Sequence, residues 1–444
     1  MAAGPVHYIR SFDQSFSQIL QGSKRHGGNM GVLNINHPDI EEFIKLKDSG
    51  SGIKNFNISV GVTDNFMEAV RHDAQWQLVN PRNGQVAKTV RARDLFNMIT
   101  QRAWECADPG MLFLDAVARG NNNAHLYDMV ATNPCGEQPL GPYESCNLGS
   151  IVLSNHVTPA GEVDWQKLSR TAHLATHFMD NMLELNKYPI PAIDYMVRQT
   201  RKIGIGVMGF AQMLYKIGVP YNSEEAVRLI ERIMRHVHES IQERSSQLAE
   251  ERGVYPAWTG SRWEEKGMKI RNSHLTSIAP TGTISMLADT SSGIEPYFGL
   301  VTLRRAFYNK NGNNGEKGVD ILRIVAPDFE RVARERGFYS EKLMDRIAEE
   351  GSVQNMKEVP DDVKRVFVTT QDIGYEWHVK IQAAAQKWTD AAVSKTVNLP
   401  NDAKIEDVRN AYILAYETGC KGITVYRDGS KSGQVLYLKE KSSP

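Results

Sequence analysis

The sequence predicts an α/β fold with a mainly parallel sheet, and two observations carry that reading. Short runs rich in β-branched and aliphatic residues alternate along the chain with longer segments of helical periodicity, the pattern of βα units. No internal repeat and no long low-complexity tract interrupts the alternation.

The elements follow in order. Met30–Ile35 (MGVLNI) is the first strand-like run, and Ile40–Lys47 after it is helical. Asn57–Val62 (NISVGV) is a second strand, followed by a helix over Arg93–Cys106. Asp164–Leu185 and Ser223–Glu251 keep apolar residues at helical spacing for many turns. The second opens on Asn222-Ser223-Glu224-Glu225, a cap followed by acidic residues in the first turn. Helical periodicity returns at Val319–Arg336, Val379–Ala392 and Ala403–Thr418, and strand-like runs at Val366–Thr370 and Ile423–Tyr426. Asn309–Lys317 (NKNGNNGEK) reads as an exposed loop. The Pro/Gly-rich connections after Cys135 and around Pro280 read as functional loops. No composition shift marks a boundary, so residues 1–444 read as one domain.

Composition narrows the function classes. The 444 residues carry 52 basic and 52 acidic side chains, so no electrostatic footprint for nucleic acid is visible. At 41% hydrophobic and 23% charged the chain has an ordinary globular composition. It has no apolar run long enough to span a membrane, and its first residues, MAAGPVHYIRSF, have no apolar core of a signal peptide. Four cysteines are too few for a disulfide scaffold and fit a cytoplasmic setting with reduced thiols.

The densest chemistry lies in NPCGEQPLGPYESCNLGS, Asn133–Ser150, which holds two of those cysteines. They stand eleven positions apart, too far for the usual zinc spacing, and no metal site is expected. If the backbone is extended, Asn133, Cys135 and Glu137 share one side of it, and Pro134 disfavours helix there. Such a cluster brings together a sulfur, a hydrogen-bonding amide and a carboxylate able to take a proton. On pattern alone Cys135 is equally a small buried hydrophobe. Cys146 is either core or a redox partner brought near Cys135 by the intervening loop. Ala279–Ser285 (APTGTIS) offers hydroxyls and backbone N–H groups that would bind an anion if they opened a helix, although such strings are also ordinary turns. Ser23–Gly31 (SKRHGGNMG) reads by residue type as a solvated basic turn before a strand.

These stretches together resemble the large subunit of ribonucleotide reductases, most closely the adenosylcobalamin-dependent class II enzymes. The resemblance rests on ATNPCGEQPLGPYESCNLGSI, QGSKRHGGNMGVLNINHPDIEEFI, ADPGMLFLD, IGIGVMGFAQML, APTGTISMLADTSSGIEPYF, VSKTVNLP and GCKGITVYRDGS, blocks in family order through nearly the whole chain. It implies a ten-stranded α/β barrel with a finger loop, about residues 133–150, threading its centre. Cys135 would carry a transient thiyl radical that removes the 3′-hydrogen of a ribonucleotide. Glu137 would take the 3′-hydroxyl proton, Asn133 would hold the ribose hydroxyls, and Cys146 would belong to the thiol pair that closes to a disulfide. Pro280, Thr281, Gly282, Thr283, Ile284 and Ser285 would bind substrate phosphates. Lys24, Arg25, His26, Gly27, Gly28 and Asn29 would form the loop linking an allosteric effector, a dNTP or ATP, to base selection. The cofactor implied is adenosylcobalamin, and thioredoxin or a similar reductant would restore the thiols.

The chain also departs from that pattern. Relatives carry an upstream region with the partner of Cys146 and early barrel strands, and MAAGPVHYIRSF matches a point already inside the barrel. The expectation is a split or truncated enzyme, with a second polypeptide supplying the rest. The end of the chain, YLKEKSSP, lacks the cysteine pair of many relatives. A homodimer is compatible with the pattern. The alternatives are a class I subunit served by a separate metal-containing radical protein, or an inert nucleotide-binding barrel fragment.

Other features read as structural. Gly204–Gly209 satisfies G-x-G-x-x-G, but it follows the polar Arg198–Lys202 instead of a strand, and no strand ending in an acid stands about twenty residues on. Close backbone packing accounts better for the glycines. His173 and His177 share a helix face with Asp180 and Glu184 but lack the glutamate of a zinc protease motif. His236 and His238 read as helix surface, and Cys106 and Cys420 as structural thiols.

Overall fold

The computed structural model describes residues 4–21, 25–48, 52–309 and 317–430; the side chains of 20–21, 25–26, 303–309 and 317–322 lie outside that description. The strands that position the site are β1 (Asn29–Asn34), β2 (Phe56–Val62), β3 (Gly110–Phe113), β4 (Ala131–Thr132), β5 (Pro139–Leu140), β6 (Asn147–Val152), β7 (Ile203–Met208), β8 (Thr396–Leu399) and β9 (Gly422–Arg427). The principal helices are α1 (Ala92–Cys106), α2 (Trp165–Leu185), α3 (Glu224–Arg252), α4 (Tyr375–Gln386) and α5 (Ile405–Glu417).

A five-stranded sheet runs in the order β8-β9-β3-β2-β1. Its pairs are parallel except β9 against β3. β6 pairs in parallel with β7, from Asn147 opposite Ile203 to Val152 opposite Met208. Two bridges join these pieces: Ile205 faces Thr276, and Ile278 faces Val393. Ser394 N–H then donates to Ile278 O at 2.8 Å, just before the chain enters β8. The result is one row of mainly parallel strands with β1 at one end and β6 at the other. Among the described residues no ladder joins β1 to β6, so they show neither ten strands nor closure of the expected barrel.

β7 is buried at every position, as a strand covered on both faces must be, and its continuous apolar run follows from that. The helices supply the cover. α3 begins at Ser223, whose hydroxyl accepts from Ala226 N–H at 3.1 Å, and buries Ile230, Ile233, Met234, Val237 and Ile241 against the β7 layer. The other layer packs Phe96 and Ile99 of α1 and Val408 and Tyr412 of α5 against Ile58, Val60 and Val425.

Three segments differ from expectation. Val319–Arg336 is not one helix: Lys317–Val325 pairs antiparallel with Val301–Asn309, and a helix spans Pro327–Glu335. The β-branched Val319, Ile321, Ile324 and Val325 favour the strand, and Pro327 fits the first helical position. Val366–Thr370 is not a strand. A helix over Asp361–Val366 ends there, and the next turn is fixed by Thr369 and Asp372 in a reciprocal cap. The Val379–Ala392 helix starts earlier, after Gly374, and stops at Gln386, because Ala391 and Ala392 donate their N–H groups to Thr276 O and Glu137 O.

Candidate active site

The finger loop is a hairpin. Ala131 faces Leu140 and Thr132 faces Pro139. Asn133 N–H donates to Gln138 O at 3.1 Å, and Gln138 N–H returns a bond to Asn133 Oδ1 at 3.0 Å. Between them Gly136 takes a φ of 83°, which favours glycine, and donates its N–H to Asn133 O at 3.0 Å. The backbone through 133–137 is therefore a tight turn and not extended. The three residues still gather, by another route: Asn133 and Glu137 flank the turn while Cys135 is exposed at its tip.

Both halves of the strand row grip this hairpin. On the β1–β2 side, Asn57 Nδ2 donates to Pro134 O at 2.6 Å. A Cβ on Gly28 would meet Pro134 Cγ at 3.1 Å, so the glycine allows close approach. On the other side, Glu137 O accepts from Ala392 N–H at 2.8 Å and from the Ser277 hydroxyl at 3.0 Å. Lys202, next to β7, reaches Pro139 O at 3.3 Å.

Cys135 opens onto a cleft lined also by Met30, Ser59, Met111, Ser394 and Lys395. Two residues on from Cys135, Glu137 is 3% exposed, and its Oε2 has no hydrogen-bond partner. Burial raises its carboxyl above the ordinary range, opposed in part by the Asn133 amide. Cys146 lies at the foot of β6, donating to Asn147 O at 3.3 Å. Burial pushes its thiol up to about 12, with Lys202 opposing and Glu144 and Glu137 adding to the rise.

The 280–285 loop is a single helical turn preceded by Thr281 at a φ of 54°. Two of its hydroxyls serve the loop itself: Thr281 Oγ1 accepts from Gly293 N–H at 2.7 Å, and Ser285 bonds Ser292 at 3.0 Å. Pro280, Gly282, Thr283 and Ile284 are exposed at the turn where a helix start leaves N–H groups open. This loop is tied to the Cys135 cleft. Glu295, two residues beyond Gly293, accepts from Thr396 N–H at 2.7 Å and from the Lys395 ammonium at 2.5 Å, and Lys395 lines the cleft. Sequence reading missed the Lys395–Glu295 and Lys202–Glu144 pairs, since nothing local distinguishes a buried lysine from a solvated one.

Of the basic loop, Gly27, Gly28 and Asn29 lead into β1, and Asn29 Nδ2 donates to Asn55 O at 2.9 Å. Lys24 lies outside the described residues, as do the side chains of Arg25 and His26 and the tail YLKEKSSP.

The comparisons with known proteins bear on this arrangement. The profile described as the ribonucleotide reductase barrel domain matches residues 1–426. The chain belongs to the ribonucleotide reductase barrel family. It is 49% identical over 437 residues to a vitamin B12-dependent ribonucleoside-diphosphate reductase of Thermoplasma acidophilum, covering 98% of this chain and 56% of that protein. It is 45% identical over 436 residues to an enzyme of the same description from Mycobacterium tuberculosis, covering 98% and 60%. The chain thus spans little more than half the length of these relatives. The fold is shared with the class Id ribonucleotide reductase alpha subunit of Actinobacillus ureae, at a TM-score of 0.75 and 23% identity over 96% of this chain and 75% of that one.

The remaining motifs do not line the Cys135 cleft. Gly204 and Gly206 sit within β7, a strand that the polar lead-in had hidden. A Cβ on Gly206 would lie 2.1 Å from Ser277 O, so close packing accounts for that glycine. His173 pairs with Glu243 and His177 with Arg252, and among the described residues no group of side chains could hold a metal. His236 is half-buried, bonded to Ser169 and Trp165 O, and not simply surface. Cys420 is buried and Cys106 donates to Arg102 O and Asp108 O. Among the described residues no helix is long and apolar enough to cross a membrane.

Proposed function

We propose that this chain is the catalytic barrel portion of a class II ribonucleotide reductase, which replaces the 2′-hydroxyl of a ribonucleotide by hydrogen. The observation that carries the reading is the exposed Cys135 sulfur on its cleft, with the buried Glu137 carboxyl, one oxygen of which lacks a partner, beside the same turn. Cys135 as a thiyl removes the 3′-hydrogen. Glu137, raised by burial toward the working pH, accepts the 3′-hydroxyl proton. Asn133, whose Oδ1 is engaged by Gln138 N–H and whose side-chain amide also meets the Glu137 carboxyl, would share its N–H groups between that carboxyl and the ribose. Loss of the 2′-oxygen as water consumes two electrons and two protons from a thiol pair of which Cys146 is one member. Gly282, Thr283 and Ile284 present backbone N–H groups to the substrate phosphates, while Thr281 and Ser285 hold that loop in shape.

Adenosylcobalamin would approach the exposed Cys135 from the open side of the cleft, whose lining includes Met30, Ser59 and Ser394; when bound it would supply a radical by homolysis of its cobalt–carbon bond. The protein's part is to position and shield the sulfur. A segment outside residues 1–444, in the same polypeptide or a second one, would complete the strand row and bring the second thiol. Thioredoxin or a similar dithiol would then reduce the pair. Gly27–Asn29, packed beside Pro134, would pass effector state to the finger hairpin.

The test replaces Cys135 by serine in the assembled enzyme. Deoxyribonucleotide formation should fall below detection while ribonucleotide binding stays within about twofold of the parent, since Cys135 lies at an exposed tip. Turnover that survives the substitution overturns the reading, and turnover without cobalamin overturns the class II assignment.

A further inference from the structure

The structure places a buried ion pair beside Cys146 that the proposed reaction does not use. In the parallel register of β6 and β7, Asn147 stands opposite Ile203, so the residues immediately before them, Cys146 and Lys202, are neighbours across the same ladder. The side chains of Lys202 and Glu144 are both 0% exposed and meet at 2.8 Å. Glu144 also accepts from Gly141 N–H at 2.9 Å and from the Tyr127 hydroxyl, which is in turn bonded to Asn123 Nδ2. Lys202 spends a second donor on Pro139 O at 3.3 Å. An ammonium has three donors, which leaves one.

Burying such a pair is weak as a device for stability, because desolvating two charges costs about what their attraction returns. It is well suited to fixing a positive charge where water cannot move it. We propose that Lys202 is a positioning residue for Cys146, holding a fixed cation beside the sulfur that favours its thiolate, and that Glu144, anchored by Tyr127 and Gly141, holds Lys202 in place and tempers its effect. The step concerned is ionisation alone. The S–H bond breaks, the electron pair stays on sulfur and the proton leaves to solvent; no oxidant is required. The charged groups facing Cys146 are Lys202 from the start of β7 and Glu144 and Glu137 from the finger loop, and their influence on the thiol has the signs this arrangement requires. Lys202 is coupled in turn to the buried His274 and Lys421.

The inference deepens the reductase reading, since it supposes that Cys146 is a working thiol. Its test does not depend on turnover. Alkylation of Cys146 by iodoacetamide is followed at pH 8.5 in the 444-residue chain, resolved from the other cysteines by peptide mass. Lys202→Met should slow it roughly tenfold, the equivalent of one pKa unit, and Lys202→Arg should restore most of the rate. Glu144→Gln, which can keep one oxygen as acceptor for Gly141 and Lys202 and turn its NH2 to donate to the Tyr127 hydroxyl oxygen, should speed it. A change of access alone would not give opposite signs for the two substitutions. Equal rates in the native chain and Lys202→Met, or slower alkylation in Glu144→Gln, overturn the proposal. If Lys202→Met does not fold, the Glu144→Gln arm decides alone. Loss of the Cys135→Ser effect on turnover would sink the reductase reading without touching this one.

Discussion

Glu137, the proposed proton acceptor, sets chemistry against stability. Its carboxyl is buried, lacks a partner at Oε2 and is raised above the ordinary carboxylate value by desolvation. A group whose folded pKa exceeds its unfolded value contributes stability below the unfolded value and loses it as pH rises through the folded one. At neutral pH Glu137 is therefore a cost. Glu137→Gln should abolish turnover and at pH 7–8 raise unfolding free energy by on the order of 1 kcal/mol, with the gain vanishing toward pH 4. Urea melts at both pH values check this. An equal effect at both pH values would mean that the carboxyl is not desolvated as its surroundings require. The identities of Asn133, Cys135 and Glu137 were legible in the sequence, because an amide, a thiol and a carboxylate two apart is a chemical statement on its face. Their geometry was not. Alternation on an extended strand predicted the cluster, but a turn at Gly136 builds it.

At the scale of elements, β7 is the piece that local pattern hid. Ile-Gly-Ile-Gly-Val-Met follows a basic stretch and is half glycine at its start, so it resembled a loop motif. Its strand character comes from partners far away in sequence, β6 on one side and residues 274–278 on the other. Helices such as α3 were legible because cap, periodicity and terminal Gly253 all lie within the segment. The hairpin Val301–Asn309 with Lys317–Val325 was not, since β-branched residues at near-helical spacing satisfy both templates until pairing decides. The glycines of β7 make the element testable. Gly206→Ala puts a methyl 2.1 Å from the backbone oxygen of Ser277, which cannot rotate away. It should cost about 3 kcal/mol or more and should disturb the Glu137–Ser277 contact. Gly282→Ala meets nothing within 4 Å and should shift stability by no more than ~1 kcal/mol. Equal thermal midpoints for the two variants would mean that β7 does not press on residues 276–278 as described.

For the whole molecule, the open question is what lies against the two ends of the strand row. Among the described residues β1 has a strand partner on the β2 side and none on the other, and β6 carries Leu148 at 40% exposed. Along the neighbouring α2, Leu174 is 71% exposed, Phe178 63% and Leu185 75%, positions that share one side of the helix at i, i+4 and i+11. An unpaired strand edge beside an apolar stripe is a surface that invites another strand and helix. This is where the segment proposed to complete the row would pack, antiparallel or parallel to β6. Amide exchange tests the open edge directly. In the 444-residue chain, β7 is bonded on both sides and its amides should exchange slowly. Those of Leu148–Ile151 that point away from β7 should exchange at least tenfold faster, because their bonds are to water. Adding the neighbouring segment of the full-length relatives' sequence, in cis or in trans, should slow those amides while leaving β7 unchanged. Equal protection of β6 and β7 in a monomeric chain would show that the row already has a partner at that end, and the completed-barrel proposal would fall with it.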